Sequence, residues 1–102
     1  FFHEATIDVM NRIGVDVAAL GNHEFDAGAT ELQRVMAGGC RTPQPGDTAI
    51  SCALGRHEGA KFPHVAANVL KADGTTLVPP SIVKTIGGIK VGFIGAVTRS
   101  TP

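Results

Sequence analysis

Val15-Asp16-Val17-Ala18-Ala19-Leu20-Gly21-Asn22-His23-Glu24-Phe25-Asp26-Ala27-Gly28 is the stretch whose reading decides the fold. From Val15 to Leu20 it is short, β-branched at Val15 and Val17, and apolar apart from Asp16. Such a run predicts a strand covered on both faces, as in a parallel sheet. The remainder is a polar loop bounded by glycines, and Gly21 lets the backbone bend sharply as it leaves the strand.

Working outward, Ile7, Met10 and Ile13 recur at every third residue with Asp8, Asn11 and Arg12 between them. This predicts a helix from Glu4 to Ile13, buried on one side and stopped by Gly14. Leu32, Val35 and Met36 supply the apolar face of a second helix, from about Ala29 to Ala37, ended by Gly38 and Gly39. No period is sustained from Cys40 to Lys61, where Pro43, Pro45, Gly46, Gly55 and Gly59 punctuate the chain. Loops of that length are uncommon inside a compact domain, so residues 38–61 read as an insertion. Pro63 to Val69 predicts another short strand, Lys71-Ala72-Asp73-Gly74 a turn, and Pro79-Pro80 excludes a helix there. Ser81 to Ile86 and Ile89 to Gly95, separated by Gly87-Gly88, predict a hairpin.

Strands alternating with helices predict a layered α/β fold. Functional residues in such sheets lie beyond the carboxyl ends of the strands. Gly21 to Asp26 holds that position after the first strand, and Asn68 lies near it after the second.

Composition removes other classes. The 102 residues carry nine Lys+Arg against nine Asp+Glu, giving a formal net charge of zero and one domain at most. No Lys/Arg run exists to displace counterions, which argues against a nucleic-acid polymer as partner and against a polybasic membrane patch. No apolar stretch approaches the roughly 18 residues of a transmembrane segment. The first residue is Phe1 rather than Met, as expected of a processed chain or of a piece of a longer one.

The loop gathers an amide, an imidazole and two carboxylates within one turn. Asn22 offers a neutral carbonyl oxygen that can bind a divalent cation without cancelling its charge. His23 stands next to it, and Asp26 can accept one ring N–H and so set the tautomer. The plainer reading is that Asn22 and Asp26 satisfy turn and helix-cap hydrogen bonds while His23 is solvated.

Leu20 to Gly28 resembles the GNHEFD-G block of calcineurin-like metallophosphoesterases, in the form found in the 5'-nucleotidase family. Phe62 to Val69 is similar to that family's next strand, and Gly88 to Gly95 followed by Thr101-Pro102 to the one after. The resemblance implies part of a layered α/β domain, a β-sandwich flanked by helices. It implies a dinuclear centre of divalent metals (Zn, Mn, Mg, Co or Ca) with Asn22 as one ligand, which activates water for in-line attack on a nucleotide phosphomonoester. His23 would be the catalytic histidine that stabilises the phosphoryl transition state and assists the leaving oxygen, with Asp26 its hydrogen-bonded partner. Glu24 receives no direct role.

The pattern of a complete member also needs Asp-x-His and Gly-Asp-x-x-Asp blocks before this loop and a His and a Gly-His-x-His block after it. Here the only Gly-Asp is Gly46-Asp47, and Ile50 stands where its second Asp belongs. The chain is therefore expected to be an internal fragment of a catalytic domain, residues 1–102, inactive alone. Its first helix is expected to pack on strands outside it, and the rest of its own chain to complete the ligand set. Two alternatives remain: a UDP-sugar or cyclic-nucleotide phosphohydrolase of the same fold, or a non-catalytic binding module that kept this loop.

The resemblance implies a periplasmic, secreted or cell-surface enzyme, a setting in which disulfides persist. Cys40 and Cys52 bracket part of the insertion, and a disulfide there would stabilise by roughly 2–3 kcal/mol. Two free thiols, or a zinc site with His57 and His64, stay open, although the close C-x-x-C pairing of structural zinc is missing. His3 and His57 are expected to be solvated, His64 to be structural, and Asn68 to bond neighbouring backbone. Met10 and Met36 are expected to face the core.

Overall fold

The computed structural model describes residues 3–47, 50–53 and 55–100; Thr101 and Pro102, the end of the last resembling block, lie outside them. The elements are α1 (Glu4–Ile13), β1 (Ala18–Ala19), a 3-10 turn (Asn22–Phe25), α2 (Ala29–Ala37), β2 (His64–Val65), β3 (Ser81–Ile86) and β4 (Ile89–Ile94). They fall into two compact units, Phe1–Val15 with Ala27–Phe62 and Asp16–Asp26 with Pro63–Pro102. The α/β class is as expected.

In the first unit α1 pairs with α2, and Ile7, Leu32, Val35 and Phe62 are buried. The expected stripe on α1 is only partly covered: Ile7 is buried and Met10 half-buried, but Ile13 is 74% exposed. Near the N-terminal end of α1 a charged group is enclosed. The Glu4 carboxylate, itself buried, accepts from Arg34 Nη1 at 2.8 Å, Ser51 Oγ at 2.6 Å and the Cys52 N–H at 2.7 Å. Arg34 also binds Glu31 and the Gly39 carbonyl, and Arg41 reaches Asp47 and Glu31. Burial raises the Glu4 pKa, but the bonds from Ser51, Cys52 and Arg34 and the guanidinium charge outweigh it and hold the carboxyl below its ordinary value.

Residues 40–61 thus contain no helix or strand among those described, yet they are tied down. Cys40 and Cys52 are joined by a disulfide, with their Cα atoms 5.6 Å apart. Asn11 of α1 donates to the Gly59 carbonyl and accepts the Lys61 N–H. His57, expected to be solvated, is instead 7% exposed, with its Nε2 2.7 Å from the Val35 carbonyl at the end of α2. The reason is the close passage of two backbones: Ala60 N–H bonds the Met36 carbonyl and Gly39 N–H bonds the His57 carbonyl. Only glycine fits at position 59, where φ is +87° and a methyl would meet the backbone of Met36 and Ala37.

In the second unit β1 and β2 pair in parallel, with Ala18 opposite His64 and Ala19 opposite Val65. Both are shorter than the runs Val15 to Leu20 and Pro63 to Val69 predict. Hydrogen bonding explains this for β2, since the Ala66 N–H goes to Pro79 and the Ala67 N–H to Gly95 rather than along one ladder. Nor is β1 covered on both faces, for Ala19 is exposed while Leu20 is buried. The hairpin agrees with its prediction, β3 and β4 pairing antiparallel from Ser81–Ile94 to Ile86–Ile89 around Gly87-Gly88. Gly95 then lies so close to the Val65 carbonyl that a methyl would overlap it, whereas Gly92 has open space.

That contrast is testable. Gly95→Ala should destabilise by about 2 kcal/mol through overpacking, while Gly92→Ala should be neutral or slightly stabilising. Urea unfolding of both variants checks this, and equal midpoints would refute the close approach.

Candidate active-site turn

Gly21 leaves β1 with extended backbone (φ −99°, ψ 175°), and Asn22–Phe25 then form a single 3-10 turn rather than an open loop. The Leu20 N–H bonds the Val65 carbonyl, so the entry to the turn is tied to β2. Phe25, 7% exposed, anchors its far end, and the Asp26 N–H returns to the His23 carbonyl at 3.2 Å. Apolar Leu20 and Phe25 therefore bury both ends and leave the polar residues between them outside.

His23 Nδ1 lies 3.0 Å from Asp26 Oδ2 and 3.3 Å from Oδ1. The ring nitrogen donates and the carboxylate accepts, which leaves Nε2 unengaged by Asp26. With the His23 side chain 81% exposed, that nitrogen is open to an incoming ligand. Asn22 is exposed, and its amide has no partner among the described residues. The turn thus brings Asn22, His23 and Asp26 into one exposed group.

The donor set can hold a metal only in part. An exposed, unclaimed carbonyl oxygen on Asn22 fits one coordination position. Among the described residues, however, no three His, Cys, Asp or Glu side chains gather closely enough to hold an ion. Cys40 and Cys52 offer no thiolates to a zinc site, because their sulfurs are bonded to each other.

Two residues gain roles that residue type alone did not assign. Glu24 turns back so that Oε2 accepts the Gly21 N–H at 2.9 Å. The signal was the spacing: position 24 is three residues after the turn's first flank, as in a capping box, although glycine supplies no reciprocal side chain. His64 on β2 is 8% exposed; burial lowers its pKa, and the Glu24 carboxylate opposes that effect. Asn68 takes the backbone role expected of it, donating to the Val97 carbonyl at 2.6 Å and accepting the Val97 N–H at 2.9 Å.

Phe25 also lines a cleft of about 480 Å³ with Asn68, Val97 and Arg99, a size that suits a small molecule. A second cleft, of about 470 Å³, is lined by Asp8, Arg12, Arg56, His57 and Glu58 and holds none of the residues of the turn.

No family model matches the chain. It is 46% identical to an uncharacterised protein of Acinetobacter calcoaceticus over 87% of its own length and 44% of the relative's. It is 39% identical to the endonuclease YhcR of Bacillus subtilis (95% of this chain, 7% of the relative) and 35% identical to the 5'-nucleotidase of Mus musculus (91% and 14%). The chain spans less than half the length of each. Among solved structures it superposes on Haemophilus influenzae NAD nucleotidase with a TM-score of 0.64 at 27% identity, covering 98% of this chain and 14% of that one. It superposes on the calcineurin-like phosphoesterase YfkN of Bacillus subtilis with a TM-score of 0.59 at 28% identity (89% and 24%).

The fold is thus that of the calcineurin-like phosphoesterases. Within that class the chain belongs to the 5'-nucleotidase family.

The buried His64 makes stability depend on pH. Its lowered folded pKa favours the neutral ring, so its share of stability is complete above about pH 6.5, the unfolded value. It is lost as pH falls through the folded pKa. Stability should fall as the pH drops below about 6.5, and His64→Gln should flatten that slope, as read from urea midpoints across the range. Glu4, also lowered, acts only below its ordinary carboxylate value of 4.5.

Proposed function

We propose that this chain contributes the catalytic-histidine turn of a metal-dependent phosphoesterase that hydrolyses nucleotide phosphomonoesters to nucleoside and phosphate. The observation that carries the reading is the 3.0 Å contact between His23 Nδ1 and Asp26, which leaves Nε2 free on an exposed turn. Membership of the 5'-nucleotidase family supports the substrate class. On this reading residues 1–102 are part of a larger catalytic domain, 38–61 are an insertion within it, and the remaining ligands come from elsewhere in the protein.

Asn22 would give its oxygen to one of two divalent cations, Zn, Mn, Mg, Co or Ca, which would supply Lewis-acid stabilisation when bound. The chain's own work is done by His23. Asp26 accepts a hydrogen bond from the Nδ1–H and holds the ring in one orientation. Protonated at Nε2, the ring donates to a phosphoryl or leaving oxygen as negative charge builds there. Such a donor stabilises the transition state more than the bound substrate, so its removal lowers kcat more than it raises KM. The zero net charge suits a small phosphoester rather than a polynucleotide, since bound cations supply the local attraction for an anion.

The disulfide supports a periplasmic, secreted or cell-surface setting, where such bonds persist.

Phosphate release by the intact protein tests the reading, with nucleoside 5'-monophosphates set against UDP-sugars, cyclic nucleotides and single-stranded DNA. Monophosphates should be the best substrates, and chelation should abolish turnover until a divalent cation is restored. His23→Ala should lower kcat about 100-fold or more with KM changed only a few-fold. Asn22→Ala should instead raise the metal concentration needed for half-maximal activity. Wild-type kcat in His23→Ala would refute the assigned role, and a preference for DNA would replace the substrate class.

A further inference from the structure

The exposed residues of the turn need something to hold their backbone in place, because a 3-10 turn of four residues has too few internal hydrogen bonds to do so alone. Its far end is held by burial of Phe25. Its near end is held differently. Gly21 has no side chain with which to cap the turn, and its own N–H is taken by Glu24 Oε2 at 2.9 Å. Asn22 and His23 lie between these two fixed points.

We propose that Glu24 is the positioning residue of this site: through the Gly21 N–H it sets the backbone that presents Asn22 and His23. Asp26 orients the His23 ring, and Glu24 orients the peptide that carries the ring. The two carboxylates flank the histidine and have separate tasks. A second observation ties Glu24 to position 21. A Cβ built on Gly21 would lie 2.8 Å from Glu24 Oε2, the mobile end of that side chain. Gly21→Ala should therefore displace the carboxylate and reproduce its loss without touching position 24. The Glu24 charge also acts on the buried His64 of β2.

The kinetic arm of the test rests on the phosphoesterase reading above, and the spectroscopic arm does not. In the intact, metal-loaded protein, Glu24→Ala should lower kcat about ten-fold with little change in KM, as expected when a reacting group is misplaced rather than removed. Glu24→Gln keeps an oxygen that can accept the Gly21 N–H and should recover most of that loss. Gly21→Ala should match Glu24→Ala, and adding it to Glu24→Ala should cost nothing more, because both break one contact.

Long-range proton–nitrogen NMR of the His23 ring supplies the independent arm. The wild type should show a single tautomer with the proton on Nδ1, Glu24→Ala a mixture, and Glu24→Gln the wild-type pattern. An unchanged His23 tautomer in Glu24→Ala, or losses from Gly21→Ala and Glu24→Ala that multiply in the double variant, would overturn the proposal. Should the wild type lack phosphoesterase activity, the functional reading fails, and the tautomer data still decide the role of Glu24.

Discussion

Parallel hydrogen bonding between residues 18–20 and 63–65 is the constraint on which the site depends. The Ala18 N–H reaches the Pro63 carbonyl and the Leu20 N–H reaches the Val65 carbonyl. Parallel neighbours cannot be joined by a tight turn, so the chain between them must make a crossover. Here that crossover includes the polar turn, α2 and residues 38–61. With Leu20 tied to β2 and buried, Gly21 is placed where the strand pair ends, and Asn22 and His23 are delivered beyond the carboxyl end of β1. A parallel α/β sheet puts its chemistry in that position.

Charge, more than apolar burial, organises the long crossover segment. An isolated buried carboxylate would be costly, and Glu4 is acceptable only because Arg34, Ser51 and the Cys52 N–H all donate to it. Replacing any one partner leaves the charge undersatisfied, so the group behaves as a unit that joins α1, α2 and residues 40–52. The disulfide closes the same stretch covalently. Asn11 and His57 add polar ties that satisfy backbone carbonyls of Gly59 and Val35. A segment without a hydrophobic period is thereby held in one arrangement.

The two units use glycine for the same purpose with different geometry. At Gly59 the φ is positive and the backbone of α2 passes within contact distance. At Gly95 the conformation is ordinary and only the nearness of Val65 excludes a side chain. The first is a torsional requirement and the second a steric one. Neither could be told from the letter G in the sequence.

Local signals were read correctly from the residues. The face of α2 and the Gly87-Gly88 hairpin follow from side-chain period and from the backbone freedom of glycine, which act over a few residues. The same holds for the grouping of Asn22, His23 and Asp26, since a single turn must bring them together. What the sequence alone left open depended on partners distant along the chain. Whether His57 meets solvent depends on where α2 ends, and how far β1 extends depends on β2. Glu24 is different: its bond to the Gly21 N–H is local, and the capping-box spacing carried the signal. Period and composition report what each residue prefers. Only tertiary packing decides which hydrogen-bond donors are left to be satisfied, and that decided the roles of Glu4 and His57.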